Sequence, residues 1–202
     1  MLSITRAIFL VIIAAVVIQR AIELRISQRN VSTLLAQGGR LHGSNLIGVV
    51  KALQISWFVG MIVEVWGLNR PFVPLLAVIS LMMVIAGQSL RYLSMQALGQ
   101  RWTLPIVTLP GASAIDTGIY RYLRHPNWLG VSLEIVALPL IHGAYLTAIG
   151  FSVANAILIV WRIRAEEKAL SEDSNYAQLF KDHPHLIPKF RRIKLSAKNI
   201  LS

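Results

Sequence analysis

Two charged clusters in the second half of the chain stand directly beside apolar runs, and the first is built around a His-Pro pair. The segment Arg121–Gly130 reads RYLRHPNWLG and leads into an apolar stretch. Proline pushes the preceding residue out of the helical conformation and itself fits the first turn of a helix. His125 is therefore predicted to stand at the mouth of a helix, where free backbone N–H groups attract a carboxylate or a phosphate. A histidine that only caps the helix is the alternative.

The second cluster reads RIRAEE, from Arg162 to Glu167, and follows the next apolar block. Arg162 and Glu166 are four residues apart, so they share a helix face and can form an ion pair worth about a few tenths of a kcal/mol. Two adjacent carboxylates cannot both pair with Arg162, which leaves one of them for a cationic ligand. An anion site at His125 and a cation site at Glu167 would together suit a zwitterion.

The composition places this chemistry in a membrane. Of 202 residues, 55% are hydrophobic and 14% are charged, with a mean hydropathy of +0.60, whereas soluble domains carry about 25% charged residues. The net charge of +11 is assigned to membrane-flanking loops and to a basic tail that suits an anionic leaflet, and nucleic-acid binding is not predicted. This tail contains Lys189, Arg191, Arg192, Lys194 and Lys198.

Metal and thiolate chemistry find little support in the sequence. The chain has no cysteine, which excludes thiolate catalysis and cysteine-ligated metals. His183 and His185 resemble a fragment of a metal site, but no further ligand follows at a suitable spacing. No metal is therefore predicted.

The apolar runs predict an all-α integral membrane protein with about five transmembrane helices in one domain, residues 1–202. Three spans fall in residues 1–90, and residues 91–202 form the cofactor-binding and catalytic region. The fourth apolar run would reach only about 21 Å as a helix, short of a hydrocarbon core of about 30 Å. It is predicted to form a tight hairpin with the fifth. The predicted spans are 7–18 with a helical continuation to Arg25, 46–68, 72–90, 128–141 and 144–163, with a loop at 91–127.

The distribution of arginine predicts the orientation. The first and third connections and the tail are basic, whereas the second connection has only Arg70 and the hairpin turn has none. By the positive-inside rule, the N-terminus lies outside and the C-terminus in the cytoplasm. Both charged clusters then lie at the cytoplasmic face, where the loop before the fourth helix and the C-terminal segment form a cofactor pocket. In a bacterium the membrane is the inner one.

These clusters resemble the motifs of the isoprenylcysteine carboxyl methyltransferase family. The family pattern Arg-His-Pro-x-Tyr-x-Gly stands here as RHPNWLG, from Arg124 to Gly130, and an Arg-x-x-x-Glu-Glu segment stands as Arg162–Glu167. Both motifs occur in order, and the resemblance covers roughly the C-terminal half. Trp128 replaces the motif tyrosine, so an indole N–H that donates but cannot accept takes the place of a phenol. Further similar positions are Gly118, Tyr120, Tyr122, Leu170, Tyr176 and Pro188.

The resemblance implies a methyltransferase that uses S-adenosylmethionine, a zwitterion at its methionine end. It implies a cofactor site shaped by Tyr122, His125, Trp128 and Gly130. It further implies that Glu167 holds the cofactor amino group. Arg162 and Glu166 would face the acceptor, Arg162 as an orienting cation and Glu166 as a base for a hydroxyl acceptor.

The acceptor is expected to be a lipophilic small molecule taken from the bilayer. Family precedent indicates an isoprenylcysteine-type carboxylate, and a phenolic or pyrone lipid is equally plausible in a bacterium. Phospholipid N-methylation, a non-catalytic membrane scaffold and a sterol-reductase-like enzyme stay as alternatives. The sequence leaves the oligomeric state open.

Several charged residues lie within or beside the predicted spans. Glu134 is either a functional intramembrane carboxylate or the buried partner of a polar group such as Gln54 or Gln88. Arg20 and Glu23, at the end of the first span, are expected to snorkel to the membrane surface, with a place at the acceptor entrance as the alternative. Glu64 is also expected to snorkel.

Overall fold

The computed structural model describes residues 2–43, 45–181 and 183. The basic tail, Pro188 and His185 lie outside these residues.

Five long helices and one short one make up nearly all of the described structure. Four of them, α1, α2, α3 and α5, are long and apolar enough to cross a membrane, as a multi-pass membrane protein requires. The remaining long helix, α4, has 15 residues and reaches about 22 Å. Five spans and a transmembrane hairpin therefore stay a prediction. The helices are α1 Leu2–Ala36, α2 Asn45–Gly67, α3 Pro74–Leu98, α4 Pro126–Leu140, α5 Tyr145–Asp173 and α6 Tyr176–Leu179.

The third helix runs further than its composition predicts. It begins at Pro74 and continues to Leu98, so the first part of the predicted loop 91–127 is helical. The polar residues that suggested a loop are covered by protein: Arg91 and Ser94 are buried, and the Ser94 hydroxyl donates to the Leu90 carbonyl oxygen at 2.7 Å. Polar side chains here mark an internal interface of the helix.

The remainder of this segment also contains a strand, which the all-α prediction missed. β1, Arg40–His42, pairs antiparallel with β2, Ile106–Thr108. The ribbon is fastened to the end of α5, because the Asp173 carboxylate accepts hydrogen bonds from Thr108 and from Arg40, the latter at 3.0 Å.

Helices α3 and α4 cross at a pair of glycines. A Cβ built on Gly130 would lie 2.6 Å from the Gly87 carbonyl oxygen, and one built on Gly87 would lie 2.8 Å from the Gly130 carbonyl oxygen. Any larger residue would force the backbones apart. Small residues at such crossings are the usual means of helix packing in lipid, where no hydrophobic force drives association.

A buried tryptophan repairs a break in the hydrogen bonding of α4. Pro139 has no N–H, so the carbonyl of Ile135 lacks its normal partner four residues on. The indole N–H of Trp57 on α2 donates to this oxygen at 3.2 Å. Because water is absent from the bilayer core, such a carbonyl needs a protein donor.

The N-terminus of α5 is closed by a glutamate from α2. The Glu64 carboxylate accepts from the backbone N–H groups of Leu146 at 3.0 Å and Thr147 at 2.7 Å, and from Arg70 at 2.8 Å. The prediction that Glu64 snorkels is wrong, since the side chain is buried. The free N–H groups and dipole of the helix end attract it inward.

Candidate active site

The two charged clusters of the sequence meet at one end of the helix bundle. His125 is the residue that precedes α4, with Pro126 in the first turn, as predicted. Its Nε2 lies 3.0 Å from Oε1 of Glu167 on α5. The same oxygen lies 3.5 Å from the Arg124 guanidinium and accepts a hydrogen bond from the Tyr176 hydroxyl at 3.3 Å. Residues 42 positions apart in the chain thus hold one carboxylate in common.

The Tyr176 hydroxyl is a permanent donor in this cluster. Burial, together with the nearby carboxylates of Glu167 and Glu166, raises the pKa of Tyr176. The phenol therefore stays protonated and continues to donate to Glu167 at any physiological pH.

Arg162 lies beside this cluster, buried to 3% exposure. Its Nη2 donates to the Leu104 carbonyl oxygen at 2.6 Å, and its guanidinium carbon lies 5.8 Å from the centre of the Trp128 ring. Within the described residues its Nε has no hydrogen-bond partner and the guanidinium has no ion pair within 4.0 Å. Arg162 is therefore a buried cation without a contact ion pair among the described residues, although the Glu166 carboxylate is close enough to stabilise its charge.

Glu166 is bound by the tryptophan that replaces the family tyrosine. The indole N–H of Trp128 donates to Oε2 of Glu166 at 3.1 Å. The ion pair considered for Arg162 and Glu166 is absent from the described part of the chain, because the indole and the Leu104 carbonyl hold the two side chains apart. Trp128 donates, as its chemistry requires.

A cavity of about 930 Å³, here called the rim cavity, opens at this end of the bundle. One wall comes from β2 and the loop after it, and the other from α5 and α6. Its charged and aromatic lining residues are Arg101, Tyr120, Arg124, His125, Arg162, Glu166, Tyr176 and Phe180.

A second cavity of about 1180 Å³, the helix cavity, lies between α1, α2 and α4. Its wall is mostly apolar and includes Val17, Ile55 and Phe58, whereas Trp128 and Arg162 stand in its polar part. Arg162 lines both cavities. A molecule in each would therefore meet at this guanidinium.

The predicted site residues are not all at the rim cavity. Trp128 lines the helix cavity, and Gly130 lies at the α3–α4 crossing. Tyr122 is 61% exposed and lines neither of these two cavities among the described residues. The cofactor roles assigned to these three by resemblance stay predictions, and exposure gives the role of Tyr122 no support.

Of the neighbouring residues Tyr120 and Tyr122, it is Tyr120 that lines the rim cavity. Tyr120 is not among the site residues predicted from the sequence. Burial and the Glu166 carboxylate raise its pKa, so it also stays a phenol. It belongs to the short 3-10 helix Gly118–Arg121, and Tyr122 follows directly after that helix. No sequence signal separates them, since the choice depends on how this turn packs against α3.

Four charged residues from three helices form one buried ion network. Arg20 and Glu23 of α1 contact Arg91 of α3 and Glu134 of α4. The expected snorkelling of Arg20 and Glu23 is wrong, because opposite charges on neighbouring helices bind them inside the bundle. The partner of Glu134 is Arg20, and not Gln54 or Gln88. A group of three or more metal-ligating side chains was not found in the described part of the chain.

Comparison with known proteins gives the family. The model of the isoprenylcysteine carboxyl methyltransferase (ICMT) family matches residues 79–172. Protein YpbQ of Bacillus subtilis is 34% identical over 167 residues, which cover 82% of this chain and 98% of YpbQ. A Haemophilus influenzae protein is 28% identical over 160 residues, 78% of this chain and 92% of that protein. Both relatives are described as uncharacterized.

A solved structure shares the fold. The eukaryotic intramembrane Ras methyltransferase ICMT superimposes with a TM-score of 0.53 at 20% sequence identity, over 70% of this chain and 52% of the other. This chain thus spans about half the length of that enzyme, and the likeness concerns the fold. The family model and the likeness to YpbQ, together with the motifs at His125 and Glu167, show that the chain belongs to the isoprenylcysteine carboxyl methyltransferase family of membrane methyltransferases.

Proposed function

We propose that the protein transfers a methyl group from S-adenosylmethionine, bound in the rim cavity, to an oxygen of a lipophilic acceptor held in the helix cavity. The observation that carries this proposal is the position of Arg162, which lines both cavities. Donor and acceptor must be brought within contact distance for transfer, and adjoining cavities achieve this without a large movement.

The chemistry of the rim cavity fits the cofactor. Its carboxylate and ammonium groups need partners of opposite charge, which Arg124 with the N-terminus of α4, and Glu167, can provide. The rings of Tyr120, Tyr176 and Phe180 offer flat apolar surfaces for the adenine. When bound, S-adenosylmethionine supplies a methyl group on a positively charged sulfur.

Arg162 favours an acceptor that carries negative charge. A buried guanidinium without a contact ion pair is costly, and an oxyanion ligand lowers that cost. A protonated amine acceptor would instead be repelled by Arg162. The apolar wall of the helix cavity suits the hydrocarbon tail of an acceptor that enters from the bilayer. The acceptor is accordingly an isoprenylcysteine-type carboxylate or a phenolic or pyrone lipid.

The protein groups have modest tasks in the reaction. As the oxygen–carbon bond forms, the carbon–sulfur bond breaks and its electron pair stays on sulfur, so an anion and a cation both become neutral. Exclusion of water from the two cavities favours this loss of charge. Arg162 orients the acceptor oxygen. A carboxylate acceptor needs no base, whereas a hydroxyl acceptor gives its proton to Glu166, which lines the rim cavity.

The proposed orientation puts the rim cavity in the cytoplasm, with the N-terminus outside. The arginines of the two connections at this end of the bundle support it by the positive-inside rule. S-Adenosylmethionine is then available from the aqueous side while the acceptor arrives through lipid. In a bacterial cell the membrane is the inner one.

The test is incubation of the purified protein with methyl-labelled S-adenosylmethionine and a lipid extract, followed by mass spectrometry. The expected product is a lipid that carries the label on oxygen. Label on a phospholipid nitrogen would reject O-methylation, and saturable cofactor binding without any labelled product would reject the proposed acceptor class.

A further inference from the structure

The buried ion network forms part of the wall of the helix cavity. Arg20, Glu23 and Arg91 all line this cavity, and Glu134 lies behind them. Two guanidinium and two carboxylate groups balance each other, so the network has no net charge of its own. Ionisable residues at membrane depth are rarely retained without a ligand or a transport path to serve.

Arg20 is the most exposed member of the network. Its side chain is 13% exposed, whereas Glu23, Arg91 and Glu134 are 5%, 3% and 2% exposed. Its Nη1 donates to Glu23 at 2.8 Å and its Nη2 to Glu134, and each of these two nitrogens carries a second N–H. Two carboxylates therefore hold the guanidinium in one orientation with a donor still unused.

The polar part of the cavity thus has two arginines that come from different helices. Arg20 extends from α1 and Arg162 from α5, and both line the same space. Each guanidinium carries five N–H groups and makes fewer hydrogen bonds than that to the described residues. A single reacting oxygen at Arg162 would leave the donor of Arg20 unsatisfied, which costs free energy in a dry site.

We propose that Arg20 is a second anchor for the acceptor headgroup, and that it selects lipids with another oxygen besides the one that is methylated. Glu23, Arg91 and Glu134 are positioning residues that keep this guanidinium fixed. The inference rests on the proposed function. It restricts the acceptor to a lipid with an apolar tail whose headgroup carries a reacting oxyanion and, next to it, a second oxygen that can form a hydrogen bond.

Two probes of equal tail length test this selection. Pentadecylresorcinol and pentadecylphenol differ only in the second ring hydroxyl, and calorimetry of the full-length protein in detergent gives the affinity for each. We expect at least roughly tenfold tighter binding of the resorcinol by the unchanged protein, as for a lost hydrogen bond to a charged group. Equal affinity, or failure of both to bind, overturns the proposal.

The variants assign the preference to Arg20. Arg20→Gln leaves Glu134 without its partner and can unfold the protein, so the double variant Arg20→Gln/Glu134→Gln, which removes the charges in a pair, is measured as well. In the double variant we expect the preference to fall to within about twofold. Lys51→Gln removes a positive charge from the same cavity wall, outside the network, and should keep the full preference. A preference unchanged in the double variant overturns the assignment.

Failure of the proposed function is separately visible. Labelled methyl transfer to pentadecylresorcinol and S-adenosylmethionine binding are measured on the same preparations. Arg20-dependent binding without methyl transfer would contradict the proposed function, whereas methyl transfer at equal rates to both probes in the unchanged protein would contradict only the second anchor.

Discussion

Glutamate side chains lie at both ends of α5, and the two ends differ in whether these carboxylates border a cavity. At the N-terminus, Glu64 is enclosed by backbone N–H groups, the Thr147 hydroxyl and Arg70, and it lines neither cavity among the described residues. At the other end, Glu166 lines the rim cavity and Glu167 stands beside its lining residues His125 and Tyr176.

The contacts around each carboxylate distinguish a structural role from a role beside a cavity. Glu64 completes a helix end that otherwise has unsatisfied donors, so its contribution is to stability. Glu166 and Glu167 are held in place by side chains that themselves border an open space. A glutamate therefore caps α5 at its N-terminus, whereas a glutamate near its other end lines the rim cavity.

The largest effect is expected where the two cavities meet. Arg162→Ala should lower methyl transfer by about 10³-fold or more, as loss of a charged orienting group does, while the affinity for S-adenosylmethionine changes by less than about threefold. Initial rates and calorimetry measure the two. Arg164→Ala, an exposed arginine on the same helix, is the control and should leave both unchanged. Equal loss of rate and of cofactor affinity would show that Arg162 binds the cofactor.

The N-terminal end of α5 should respond in stability alone. Glu64→Ala removes the acceptor for the Leu146 and Thr147 N–H groups and leaves Arg70 without its partner. We expect a loss of about 2–4 kcal/mol in the free energy of unfolding, measured by denaturant titration in detergent. Cofactor affinity per folded molecule should be unchanged. A selective loss of that affinity would contradict the division between the two ends.

The C-terminal end should show the opposite pattern. Glu167→Gln keeps the shape of the side chain and a hydrogen-bond acceptor but removes the charge. The affinity for S-adenosylmethionine should fall by about 10- to 100-fold, as for loss of one charged hydrogen bond, with a smaller effect on stability. Glu172→Gln, exposed on the same helix, serves as the matched control. Unchanged affinity in Glu167→Gln would remove this residue from the cofactor site.

A smaller effect is expected at the motif glycine, and it separates packing from cofactor binding. Gly130→Ala puts a methyl group against the Gly87 carbonyl and should cost about 1–3 kcal/mol of stability. Gly150→Ala, in a helix with open space around it, should be neutral or stabilising by up to about 1 kcal/mol. If Gly130→Ala keeps its stability but loses cofactor affinity, the role implied by the family resemblance is correct and the packing role is not.

The meeting of the two motifs could be predicted from the sequence, because the helix-start rule for a His-Pro pair and the order of the motifs were sufficient. The His125–Pro126 pair predicts a helix start, and the structure places α4 there. The charges of the two motifs predict a shared site, and His125 contacts Glu167.

The remainder depended on contacts between distant parts of the chain. Arg20, Glu23 and Glu64 carry the same composition signal as snorkelling residues, and only the neighbouring helices determine that they turn inward. The β1–β2 ribbon is too short to leave an alternating pattern. The exchange of Tyr122 for Tyr120 at the rim cavity follows from the packing of one short turn, for which the sequence has no signal.

The central claim is that residues of both motifs surround one methyl donor. Ultraviolet crosslinking of methyl-labelled S-adenosylmethionine to the purified protein, followed by peptide mapping, tests it most directly. The account predicts label in segments 120–128 and 162–176, suppressed by excess unlabelled cofactor. Label confined to residues 2–67, or label that the unlabelled cofactor does not suppress, would contradict it.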